Sequence, residues 1–145
     1  MSRLMTAQNS LNASPIILKP IRVKTSASVT AATILVDLGD GAELATVANT
    51  AGNIVVLGVC YKTVASASAN EQTKYDSNIS TIYEMPYDAT GTKKTLTLAD
   101  VGTKFQLSAN PYTLDLDVTT NGFLEVMGFD NDKAVAFVAI RDRKI

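Results

Sequence analysis

Cys60 is the only cysteine of the chain, and it lies inside the apolar run from Ile54 to Tyr61. A nucleophilic thiol needs a neighbour that lowers its pKa, most often a histidine, and the chain has no histidine. Cys60 therefore reads as a small hydrophobe of the core. Asp115-x-Asp117 followed by Asn121-Gly122 shares residue types with a calcium loop. Such a loop, however, requires a further ligand two residues after the second acid and then a glycine, where this chain has Thr119 and Thr120. Alternating acids on the wet face of a strand account for the same letters, and Asp130-Asn131-Asp132 is the chemistry of a turn. Glu84 and Asp88 could supply a carboxylate pair for glycoside hydrolysis, but nothing marks either as buried and aromatic platforms for a sugar are few. No Ser-x-x-Lys, Gly-x-Ser-x-Gly, phosphate-loop or dinucleotide glycine pattern occurs. No catalytic residue, metal site or cofactor site is assigned, and the chain is not expected to be an enzyme or to take a small-molecule substrate.

The elements that would have to position any site are strands. Val, Ile and Thr make up 39 of the 145 residues, the composition of pleated, half-buried sheets. A chain of this length can bury about two-thirds of its unfolded surface in one core. A single cysteine leaves no internal disulfide to depend on. The longest apolar run is far short of the roughly 20 residues that cross a bilayer, and residues 1–15 hold no apolar stretch fit for a signal peptide. No membrane partner is expected.

Charge is unevenly spread. Residues 1–28 carry Arg3, Lys19, Arg22 and Lys24 without an acid, for +4, while residues 29–130 carry −7 and residues 131–145 carry +2. Basic ends around an acidic body suggest a head-to-tail or end-to-body electrostatic contact. The acidic body would repel phosphates, and the basic arm has no aromatic for stacking, so nucleic acid is not expected as a partner.

Along the chain, residues 1–14 read as an extended arm in which Leu4, Met5 and Leu11 offer apolar contact; residues 15–145 read as one domain. Pro20 marks an edge strand or a bulge rather than a central strand. Ile34, Val36 and Leu38 alternate as a half-buried strand would, Asp37 to Gly41 is a turn, and Ala42 to Ala48 is either a short helix or a loop. Ile54 to Tyr61 is apolar on both faces and belongs inside a sheet or barrel. Residues 65–78 read as a long exposed loop. Ile79 to Tyr87 follows as a strand, with Ile79, Thr81, Tyr83 and Met85 on one face and Pro86 ending it. Thr95 to Leu98 alternates, Phe105 and Leu107 share a face, and Tyr112, Leu114, Leu116 and Val118 share another. Asn121-Gly122 is the strongest hairpin signal, returning the chain along Phe123 to Phe129. Phe123, Met127 and Phe129 fall on one face there, with Leu124 and Val126 on the other, so the strand is either central to a closed barrel or meets another subunit. Regular strand spacing without a long helix predicts an all-β fold, a small antiparallel β-barrel or β-sandwich with an extended N-terminal arm.

The runs LADVGTKFQLS (98–108), YTLDLDVTTNGFLEVMGFD (112–130) and AVAFVAI (134–140) together resemble the C-terminal half of small tailed-bacteriophage capsid decoration proteins, also called head auxiliary or cement proteins. The run IVVLGV (54–59) with the Ser/Ala-rich stretch after it fits the same layout. The resemblance implies a β-rich, often trimeric protein docked on the outer capsid lattice, commonly with an N-terminal arm on the shell and no catalytic residues. It implies major capsid protein and further copies of itself as partners, and a place on the virion exterior after synthesis in the host cytoplasm. Arg3, Leu4, Met5 and Leu11 of the arm and Lys19, Arg22 and Lys24 of the basic edge strand are the expected capsid contacts. Phe123, Met127 and Phe129 are the expected contacts between subunits. Two alternatives follow from the residues: another neck, tail or fibre-associated β-module, or a ligand- or carbohydrate-binding barrel with Tyr61, Tyr75, Tyr83 and Tyr87 lining its pocket.

Overall fold

The computed structural model describes residues 6–7, 16–51 and 54–144. In chain order the strands are β1 (Thr6–Ala7), β2 (Leu18–Arg22), β3 (Ile34–Asp37), β4 (Ala42–Leu44), β5 (Val56–Val59) and β6 (Gln72–Asp76). They continue with β7 (Ile82–Asp88), β8 (Lys104–Leu107), β9 (Leu114–Asp115), β10 (Leu124–Asp130) and β11 (Val135–Ile140). One turn of helix, α1 (Val47–Thr50), follows β4. The chain divides into two compact units: Ile79–Arg141 with β1, and residues 16–78 with 142–144.

In the first unit five strands close into a barrel in the order β7-β11-β10-β8-β9, with β9 returning to β7. All barrel pairs are antiparallel except the closing one, Tyr87↔Leu114 and Asp88↔Asp115, which is parallel. β1 takes the part of β7 at Tyr83 and Glu84. Pro86 does not end the strand. Tyr87 N donates to Ala134 O at 3.0 Å, so by alternation the missing N–H of Pro86 points away from β11, between β1 and β9, and breaks no rung. The interior fills by register: Tyr83 and Met85 oppose Val138 and Ala136, and Leu124 and Val126 oppose Ile140 and Val138, all fully buried. Phe105, Leu107 and Leu114 are buried with them, as side chains fill any small barrel.

Three features of this unit differ from the sequence pattern. Asn121-Gly122 turns the chain, with Asn121 at φ 58°, but does not join paired strands. β8 lies between them: Gln106 N donates to Val118 O at 3.0 Å, and Phe123 N donates to Phe105 O at 3.2 Å. The turn crosses β8, and Gly122 sits so close that a Cβ there would lie 2.7 Å from Lys104 C. In β10 a bulge between Val126 and Gly128 lets Phe129 face Ala136. Phe129 therefore shares the side of Leu124 and Val126, and Phe123, Met127 and Phe129 do not form one face. Thr95 to Leu98 is not a strand. Leu96 is buried, pinned by Asn131, whose Oδ1 accepts Leu96 N at 3.0 Å and whose Nδ2 donates to Leu96 O at 2.9 Å. Leu98 opens a 3-10 turn, with Thr97 N donating to Asp100 Oδ2 at 2.8 Å.

The second unit holds the sheet β4-β3-β5 and the ribbon β2-β6. β3 is the middle strand and buries Leu35 as well as Ile34 and Val36, while Leu38 is exposed; the expected half-buried alternation is replaced by burial on both faces. Ala42 to Ala48 resolves into β4 and α1, which is opened by Thr46, whose Oγ1 accepts Asn49 N at 3.2 Å. β5 is buried throughout and has neighbours on both edges, β3 on one and bridges to Arg143 and Tyr75 on the other. Residues 65–78 are not a bare loop. Thr73 and Tyr75 turn inward while Gln72 and Lys74 turn outward, and this alternation builds β6. Val23, Leu35, Leu57, Cys60, Val64 and Tyr75 form the centre of the core.

Arg143 closes this unit. Its guanidinium is buried and donates to Leu57 O at 3.3 Å, Asp76 O at 2.8 Å and Asn78 O at 3.2 Å. Gly58 leaves the room: a Cβ there would lie 3.0 Å from Arg143 Nη1.

Candidate interaction face

β2 is an edge strand, as Pro20 suggests. Val23 N donates to Glu71 O at 2.8 Å and Ser77 N to Ile17 O at 2.7 Å, which fixes the phase of the ladder. Odd residues of β2 turn their backbone groups to β6, and Leu18 and Pro20 turn theirs to a side where no described strand pairs. Beyond them the chain meets Ala42 at Val23 and Lys24.

The side chains sort by the same alternation. Ile21, Thr73 and Tyr75 go to the core side, with Lys19 at its exposed margin. Leu18, Pro20 and Arg22 occupy the other side, opposite Asp76, Lys74 and Gln72 in register. Tyr61 N donates to Lys74 O at 2.8 Å, just beyond the isolated bridge Cys60↔Tyr75, so Tyr61 and Pro20 flank Lys74 on that side. Leu18 is 47% exposed and Tyr61 36%; Pro20, Arg22, Gln72 and Lys74 are exposed too. Tyr and Arg, represented here by Tyr61 and Arg22, are among the residue types enriched at protein-binding surfaces.

The expected capsid contacts separate here. Arg3, Leu4, Met5 and Leu11 lie outside the described residues. Lys24 is committed inside the unit, with Nζ 3.4 Å from both Glu43 Oε2 and Asp40 Oδ2; Glu43 first and Asp40 second hold its pKa above the ordinary lysine value. Arg22 donates to Asp40 O at 3.0 Å. Among the described residues no carboxylate pairs with Lys19, Arg22, Lys62 or Lys74, whereas Lys144 is paired with Asp37 at 3.4 Å. Sequence reading missed Tyr61, Leu18 and Lys74 as members of one face. The signal was the alternation Gln72-Thr73-Lys74-Tyr75, masked by the polar run around it.

In the barrel unit, Phe123 is buried, Phe129 is half-buried and Met127, the bulged residue, is 41% exposed. The carboxylates there hold turns. Asp117 accepts Thr92 N and Lys93 N, both at 2.8 Å. Asp88 accepts from the hydroxyl and amide of Thr90, which hold its pKa below the ordinary carboxylate value. Asp130 accepts Asp132 N at 3.0 Å. Tyr87 donates to Asn131 Oδ1 at 2.8 Å, and burial, then Asp130 and Asp132, push its pKa up.

Cys60 is buried, with Sγ 3.2 Å from Lys62 O and 3.4 Å from Thr73 Oγ1. Tyr75 is buried in the 16–78 unit, and Tyr83 and Tyr87 are buried in the barrel unit. Among the described residues no group of three or more acids and cysteines stands close enough to hold a metal ion, and no helix is long and apolar enough to cross a membrane. No protein-family model matches the chain, and no curated protein matches it.

Proposed function

We propose that this chain is a structural virion protein, a capsid decoration protein that docks on the outer surface of an assembled phage head and clamps neighbouring major capsid subunits. The observation that carries the proposal is the exposed face of Leu18, Pro20, Arg22, Lys74 and Tyr61 on and beside the β2–β6 ribbon. The resemblance of residues 54–140 to decoration proteins supports it, as does an all-β fold. Attachment works by mass action: a ligand that binds only the assembled shell stabilises that shell as the logarithm of its excess. Three copies acting together multiply weak contacts through effective concentration. Arg3, Leu4, Met5 and Leu11 are proposed as a second set of contacts on the shell, and Met127 as a contact between copies. Lys24 is proposed to serve the fold first, through its pairs with Glu43 and Asp40.

Light scattering of the purified full-length chain, then cosedimentation with empty heads assembled without it, tests the proposal. The chain should pellet with heads, and Leu18→Asp/Tyr61→Ala should stay in the supernatant while keeping the wild-type circular dichroism. A wild-type chain that never pellets with heads rules the proposal out.

A further inference from the structure

We infer that the partner surface at the β2–β6 ribbon is an acidic, folded protein surface, gripped by side chains and not by strand addition; this rests on the proposed attachment to the shell. Two observations carry it. The first is backbone phase. An incoming strand pairs with the row of N–H and C=O groups on an open edge. On the open stretch of β2 that row belongs to Leu18 and Pro20, and proline has no N–H. The edge is blunted against strand addition, so recognition falls to the side chains of Leu18, Pro20, Arg22, Lys74 and Tyr61.

The second is charge. Lys24 and Lys144 have carboxylate partners within their own unit, but Lys19, Arg22, Lys62 and Lys74 have none among the described residues. All four are exposed; Arg22 and Lys74 share the face of Leu18 and Pro20, while Lys19 lies on the margin of the other side and Lys62 follows Tyr61. The one acid in register on the ribbon, Asp76, is buried and accepts Ile17 N and Asn78 N. The ribbon therefore presents uncompensated positive charge around an apolar centre, and its complement is carboxylates around an apolar centre. Phosphate-rich nucleic acid lacks the apolar part, and Leu18 and Pro20 give it nothing to bind.

The test compares wild type, Lys74→Glu/Arg22→Glu and Pro20→Thr in cosedimentation with empty heads. Thermal melts check that each variant folds. Binding should fall at least about tenfold for the charge reversal and should weaken as salt rises from about 0.05 M to 0.5 M. Pro20→Thr, which restores the missing donor but trims one apolar side chain from the face, should bind no more tightly than wild type. If Lys74→Glu/Arg22→Glu pellets with heads as wild type does, or Pro20→Thr binds more than about tenfold tighter, the inference is overturned while attachment to heads stands. If nothing pellets with heads, attachment itself fails, and the inference is decided on purified protein with poly-L-glutamate and duplex DNA as probes. Retention of poly-L-glutamate by wild type and its loss in the charge reversal uphold it. No retention, equal retention of DNA, or a wild-type chain whose only acidic partner is a second copy of itself overturns it.

Discussion

Arg143 is the residue whose loss the fold should feel most. Three backbone carbonyls converge on its buried guanidinium, and removing the donor leaves buried acceptors unmet, which costs more than a hydrogen bond contributes. Arg143→Ala should destabilise by about 3 kcal/mol in a urea titration. Arg143→Lys should recover only part of this, because an ammonium lacks the planar fork that reaches three acceptors. Asn131→Ala, which frees both Leu96 and Tyr87, should cost about 1–2 kcal/mol. The ionisable groups set a pH window. Burial raises Asp37 and Asp100, but the Gly39 and Gly41 amides with Lys144, and Lys93 with Thr97, outweigh it; both end below 3.8, and so does Asp88. A carboxylate held lower in the folded state contributes stability above 3.8, and this is lost as the pH falls through its folded pKa. Tyr87 lies above 10.0, so the unfolded chain loses that proton first and stability declines as the pH rises past 10.0. Lys24, raised above 10.5, contributes below that value, and its share is lost as the pH rises through its folded pKa. Thermal melts should therefore give a plateau between about pH 5 and 9 with losses on both sides; a melting point that keeps rising below pH 4 would contradict these assignments.

At the scale of elements, the crossing of β8 by residues 119–122 is the least forgiving junction. Gly122→Ala places a methyl against the Lys104 and Phe105 backbone, which cannot retreat without breaking the barrel, and should cost about 2 kcal/mol or more in thermal melting. Asn121→Ala should cost less, since the left-handed backbone there is strained but not obstructed. The junction also shows what was legible in the sequence. Strand existence was readable wherever alternation was clean, as in Phe105, Leu107, Leu114, Leu124 and Val126, because burial on one side imposes period two. Partner choice was not. Asn121-Gly122 signals a tight turn, and nothing local says that a third strand passes beneath it. Gly128 was the available sign of the bulge, and reading it would have moved Phe129 off the side of Met127. β6 stayed hidden because its outward residues match the polar run before it. The face around Tyr61 depends on β6, so it could not be assembled from sequence.

At the scale of the molecule, both units are built from pairings distant in sequence, such as Leu18↔Asp76 and Tyr87↔Leu114. Such contacts come after the loop entropy has been met, so refolding should take milliseconds to seconds, on the order of other small β proteins, in stopped-flow fluorescence of the tyrosines. Microsecond refolding would mean that these pairings are not rate-limiting. The residue that locks the 16–78 unit follows Asp76 by 67 positions, with the whole barrel encoded in between. On a ribosome adding about 5–20 residues per second, that unit waits about 3–13 s for its buried guanidinium. Its biogenesis is thus unavoidably late: the β2–β6 ribbon is translated first and matures only after the barrel has been synthesised.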